Sequence, residues 1–109
     1  MAKFLPQGED QVLIDEKVKE RTEVKKPQMY KVLLHNDDYT TMEFVVLVLM
    51  RYFAKNETAA TEVMLRVHQS GIGIAGVYTY EIAETKVLMV TEDARRHEFP
   101  LKCSLEPAE

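Results

Sequence analysis

The stretch LLHNDDYTTMEFV, Leu33–Val45, sets Asn36, Asp37 and Asp38 between two apolar flanks. The flank before it, MYKVLLH (Met29–His35), is β-prone and reads as a strand. The flank after it, TTMEFVVLVLMRYF (Thr40–Phe53), reads as a helix despite its β-branched valines. The start signal decides this. Thr40 and Glu43 form a T-x-x-E capping box, and Tyr39 and Phe44 stand at the staple positions. The stretch is therefore a strand, an acidic turn and a helix. Apolar residues cover nearly the whole circumference of that helix, including Met42, Val45, Leu47 and Met50. Such a helix is buried on several sides or carries a binding surface beside its core face.

Downstream, Ala60, Val63, Met64, Val67 and His68 recur at helical spacing and predict a second helix over Glu57–Ser70, ended by Gly71. GVYT closes a strand over Gly73–Thr79, with Gly76 marking a close backbone approach. A third helix runs from about Thr79, its expected N-cap, to His97. Its stripe is Ile82, Ala83, Val87, Val90 and Ala94, and its acidic start and basic end complement the helix dipole. Pro100 stops it. Leu101–Glu106 alternates with Leu101, Cys103 and Leu105 inward, as a half-buried strand does. The order β-α-α-β-α-β predicts an α+β fold: a two-layer sandwich of a three-stranded antiparallel sheet packed against three helices. Residues 1–27 interleave both charge signs with few large apolar groups and predict a flexible N-terminal extension, with a transient helix over Val12–Glu23. Residues 28–109 form the core domain.

The chain has 109 residues, enough for one domain, and a net charge of −4 from 14 basic and 18 acidic side chains. That balance argues against a nucleic-acid binder that tracks phosphates with a basic face. A single cysteine, Cys103, cannot form an internal disulfide and suits a reducing compartment. With neither a secretory h-region nor an 18-residue apolar run, the chain reads as cytoplasmic and unattached to a membrane.

GIGIAG (Gly71–Gly76) matches a dinucleotide fingerprint but lies after a helix and before a strand, the reverse of what pyrophosphate binding needs. An EF-hand loop starting at Asn36 fails at Thr41 and Leu47, where glycine and an acid are required. His35, Asp37, Asp38 and His68 would make a metal-dependent hydrolase if they converged, but show no spacing signature. Cys103, at an inward strand position, reads as inert core. The remaining arrangement is a mixed pocket. Met64 and His68 share a helix face at i,i+4. Beside the acidic turn and Met42 and Val45, they give an apolar floor with an anionic rim, suited to a ligand with a cationic hydrogen-bonding head and an apolar body. A plain interaction domain without a ligand pocket is the third reading.

The blocks NDDYT-x-MEFV, ML-x-VH-x-x-G, GVYTYEIAETKV and PLKCSLE, from about Pro27 to Glu106, closely resemble the ClpS family of proteolytic adaptors. The resemblance implies an adaptor with no enzymatic activity, no cofactor and no metal, acting as a monomer. It implies binding of N-terminal Phe, Tyr, Trp or Leu of N-end-rule substrates and their delivery to the AAA+ unfoldase ClpA, which feeds the peptidase ClpP. Carried over, Asn36, Asp37 and His68 hold the substrate's α-ammonium and first peptide group. Thr40, Met42, Val45, Met64, Val67 and Leu101 line the side-chain pocket, with Met42 as its gate. Glu81 and Lys86 contact ClpA, and the N-terminal extension is engaged during delivery. The family commonly has proline where this chain has Thr41, and often an apolar residue where it has His35. With Thr40 as N-cap, Thr41 is the first helical residue, where threonine costs a few tenths of a kcal/mol relative to proline's favoured fit.

Overall fold

Strand β1 (Met29–His35) is central in the sheet and dictates the two layers. Its alternation sends Val32 and Leu34, both fully buried, to one face and Lys31, Leu33 and His35 to the other. The computed structural model describes residues 26–109. The expected transient helix, and all but the last two residues of the expected extension, lie outside the described residues.

The elements follow in the order β1, α1 (Met42–Phe53), α2 (Glu57–Ser70), β2 (Ile72–Thr79), α3 (Tyr80–Arg96) and β3 (Lys102–Pro107). The sheet order is β2-β1-β3, antiparallel throughout. The α+β fold and its β-α-α-β-α-β order are therefore as the sequence predicts. Helices pack on the face that carries Val32, Leu34, Ala75 and Cys103, and Val48, Leu49, Ala83 and Val90 complete the core. The register shifts between Val32, opposite Gly76, and Leu33, opposite Ile74, so that Ala75 is the extra residue of a β-bulge.

Two local features set where the helices sit. Gly71 closes α2 with φ +90°, a left-handed conformation in which a side chain would be strained, and its N–H donates to Val67 O. Gly73 lets α2 lie close on β2, because a Cβ there would come within 2.7 Å of Val67 Cγ2. Gly76 also marks a close approach, but of the Tyr78 ring rather than of backbone.

The start of α1 differs from expectation. Thr41, not Thr40, is the N-cap: its Oγ accepts from Phe44 N–H at 3.1 Å. The helix thus begins one residue later than the capping box implies, so Glu43 is not at N3. Tyr39 is no staple, being 76% exposed. Thr40 loses the contest because its hydroxyl is committed to Asp37. Thr79 is the N-cap of α3, as expected, but makes no side-chain capping bond. Asn56, which periodicity alone does not single out, caps α2 by accepting from Ala59 N–H at 2.8 Å.

Candidate functional site

The acidic turn between β1 and α1 is built by one carboxylate. Asp37 Oδ1 accepts from Tyr39 N–H at 2.8 Å and from Thr40 N–H at 2.7 Å. Its Oδ2 accepts from Thr40 Oγ–H at 2.7 Å. Partial burial pushes this carboxyl up, but the bonds from Thr40 and Tyr39 outweigh it and hold the group below the usual carboxylate range. Asp37 is therefore charged at neutral pH. A carboxylate offers about four lone-pair sites, so three internal bonds leave it one further donor to accept.

The turn is fastened to α2. Asn36 N–H donates to Gly71 O at 2.9 Å, which brings Asn36 to the helix end that carries His68. Between the turn, the start of α1 and the last turns of α2 lies a cavity of about 280 Å³. Its floor is Val45, Met64 and Val67, all buried, and its mouth carries Asn36, Asp37, Asp38, Thr40 and His68. Met42, the first residue of α1, is 45% exposed at the edge, where an unbranched, flexible side chain can move. Eight of the nine residues assigned to the amine-binding group and side-chain pocket meet here. Asp38, to which the adaptor reading assigns no role, joins them. Leu101 does not: it is buried and lines a neighbouring cleft with Tyr39, Phe99 and Pro100.

This geometry coincides with a family match. A sequence model described as ATP-dependent Clp protease adaptor protein ClpS matches residues 25–104. The chain belongs to the ClpS family. It is 60% identical over 89 residues to the ATP-dependent Clp protease adapter protein ClpS of Rhodospirillum centenum, covering 82% of each chain. It is 54% identical over 98 residues to the ClpS of Desulfotalea psychrophila, covering 90% of this chain and 96% of that one. A solved structure of Agrobacterium tumefaciens ClpS2 bound to L-phenylalaninamide superposes with a TM-score of 0.72 at 41% identity, over 74% of this chain and 98% of that one. ClpS proteins are thus a family of protease adaptors, and this chain has their fold.

The metal-hydrolase arrangement does not assemble on this ClpS fold. His35 faces the open side of the sheet, with Nε2 2.7 Å from Ser104 Oγ, and is absent from the cavity that holds Asp37, Asp38 and His68. Burial and the Lys102 charge hold His35 below its ordinary pKa, so it is neutral at pH 7. Among the described residues, no group of three His, Cys, Asp or Glu side chains is placed to hold a metal ion. Cys103 is buried in the core, and burial pushes its thiol up to about 12, so little thiolate forms at neutral pH. No helix among the described residues is long and apolar enough to cross a membrane.

The two residues assigned to ClpA have different surroundings. Glu81 is exposed in the first turn of α3. Lys86 is half-buried: its Nζ donates to Tyr52 O at 2.6 Å and sits 5.4 Å from the Tyr78 ring centroid and 5.9 Å from that of Phe53. A cation at the carbonyl end of α1 complements the helix dipole, so Lys86 holds α1 to α3. Asp93, which the sequence pattern does not single out, completes that clamp. Only 1% exposed, it accepts from Tyr52 Oη at 2.7 Å and Arg51 Nη1 at 3.1 Å, and pairs with Arg96 and His97. The Tyr52 hydrogen bond is the main cause that holds its carboxyl below the usual range, against burial. The signal in the sequence is an acidic residue inside the apolar stripe between Val90 and Ala94.

Proposed function

We propose that the cavity receives the N-terminal residue of a protein chain, and that this ClpS-family adaptor presents such chains to the ClpA unfoldase of the ClpAP protease in the cytoplasm. The observation that carries the reading is the joining of an ionised carboxylate, an amide and an imidazole at the mouth of a cavity with a Met/Val floor. An α-ammonium brings a charge and three N–H donors, and the spare acceptor capacity of Asp37 suits it. Asn36 and His68 supply the remaining polar contacts to the amine and first peptide group.

The apolar floor takes the first side chain. At about 280 Å³ the cavity falls at the small end of ligand pockets, which favours one large side chain over an extended ligand. Phe, Tyr, Trp and Leu are the natural occupants, with Thr40 and Met42 at the entrance. The phenylalaninamide held by the Agrobacterium ClpS2 has this chemistry, an amine next to an aromatic group. Charge-assisted hydrogen bonds contribute roughly 1.5–3 kcal/mol each and the buried side chain about 1.5–3. With three such bonds and the side chain at the upper ends of these ranges, and an association cost of at least about 4 kcal/mol, about 8 kcal/mol remains, which is at best about micromolar binding.

The exposed face of α3 around Glu81 is the proposed unfoldase contact, and the N-terminal extension serves delivery. The adaptor acts as a monomer. Titrating the protein with short peptides that differ only in their first residue tests the reading. Peptides beginning with Phe, Tyr, Trp or Leu bind and those beginning with Ser or Lys do not; equal affinity across the panel contradicts it.

A further inference from the structure

Tyr39 belongs to the acidic turn but not to the cavity beside it. The residue is 76% exposed and borders a second cleft, of about 580 Å³. Phe99, Pro100 and Leu101 supply apolar walls, and Thr91 and Arg95 line it from α3. The walls are preorganised. Phe99 N–H donates to Ala94 O at 2.9 Å, its ring centroid lies 5.0 Å from that of Phe44, and the His97 ring stacks on it at 7°. Phe44 is in turn the residue whose N–H is held by the Thr41 cap. The second cleft is therefore fastened to the same turn and the same helix start as the first.

The two sites are within reach of one extended chain. Two virtual bonds separate the Cα atoms of Asp37 and Tyr39, at most about 7.6 Å. An extended peptide advances about 3.3 Å per residue, so a chain anchored by its amine at Asp37 spans the distance to Tyr39 within three or four residues. Arg95 and Glu98 both line the cleft, so it offers no field of one sign, and its walls select for apolar surface.

We infer that the Tyr39–Phe99–Leu101 cleft is a second subsite, which takes a large apolar side chain at the third or fourth position of the segment whose first residue fills the cavity. The inference rests on the N-terminal-residue reading proposed above. It explains why an aromatic ring is left uncovered next to a ligand cavity, and it gives Leu101 a role in substrate recognition from outside that cavity.

The test measures affinities of Phe-Ser-Ser-Ser-Lys and of variants with Leu or Trp at position three or four, for the wild-type chain and for Tyr39→Ala and Thr91→Arg. In the wild type, one of the apolar positions tightens binding about fivefold. Both protein variants reduce that gain to less than about twofold and leave the all-serine peptide's affinity unchanged, because neither side chain touches the first cavity. A gain absent from the wild type, or retained in both variants, overturns the subsite. Self-association that depends on Tyr39, without any such gain, assigns the cleft to a second copy and also overturns it. Failure of the all-serine peptide to bind any of the proteins instead removes the N-terminal-residue reading, and the subsite with it.

Discussion

The two ends of α1 are each organised by an aspartate, and the two aspartates are used in opposite ways. Asp93 lies against the C-terminal end, 1% exposed, with Oδ2 accepting from Arg51 and Tyr52 and Oδ1 from Arg96, while His97 Nδ1 sits 2.9 Å from its backbone O. Lys86 adds a bond to Tyr52 O from the same helix, α3. Buried among these partners, the Asp93 carboxylate faces no cavity and works as a clamp. Asp37 stands before the N-terminal end, half-buried at a cavity mouth, and its bonds reach only the next three residues. It fixes a turn and leaves one acceptor position at the cavity mouth, which the proposed function assigns to the ligand's amine. In that proposal a charged carboxylate is a binding group when its partners are local and its outer side faces a cavity. Buried and bonded from two helices, the same group is structure.

Substitutions at the two ends should separate these roles, and the largest effect is expected at Asp37. Asp37→Asn keeps an amide oxygen for the two backbone N–H groups but removes the charge. Affinity for a Phe-initiated peptide should fall roughly 10–100-fold, with only a modest drop in melting temperature as the Thr40 hydroxyl bond and the charge are lost. A large loss of stability with unchanged affinity would make Asp37 a second clamp.

At the other end, Asp93→Ala should cost about 1–3 kcal/mol of stability in urea unfolding and leave the peptide affinity of the folded protein unchanged. Both aspartates also confer a pH dependence. Both carboxyls sit below the usual range when folded, against an ordinary value of 3.8. The folded chain therefore binds fewer protons than the unfolded chain in acid. Their stabilisation is complete above about pH 5 and is lost as pH falls through 3.8 to the lower folded values. Urea midpoints that stay flat from pH 5 to about pH 2.5 would contradict this.

Lys86→Ala should lower stability by about 1 kcal/mol through the lost carbonyl bond and ring contacts. Glu81→Ala should leave melting and peptide affinity alone and weaken only the unfoldase contact. If Lys86→Ala melts like the wild type, the lysine belongs to the docking surface and not to the clamp. The smallest effect is expected at Thr41→Pro. Its φ of −74° already suits proline, but the cap to Phe44 is lost, so a net cost of about 0.5–1 kcal/mol should appear in thermal melts.

The periodic parts of the chain are legible in its sequence. β1 and α2 have the predicted bounds, because turn chemistry and a terminal glycine delimit them. The cavity is legible as well, since the i,i+4 spacing of Met64 and His68 fixes one wall and the acidic turn the other. What escapes depends on competition or on tertiary contact. Thr40 and Thr41 are chemically equal as caps, and only the pull of Asp37 on the Thr40 hydroxyl decides between them. Alternation marks Leu101 as inward but does not assign it to one cleft rather than another. Lys86 and Asp93 look like ordinary helix charges until α1 is laid against them.

Recognition of a free α-amine next to an apolar side chain underlies the proposed function. Calorimetric titration of the wild-type chain with one Phe-initiated peptide and its N-acetylated copy isolates the amine. Acetylation removes the charge and leaves the Asp37 carboxylate facing no cation. The free peptide should bind at about micromolar affinity and the acetylated copy at least about 100-fold more weakly. Equal binding of the two would contradict amine recognition, and the proposed function with it.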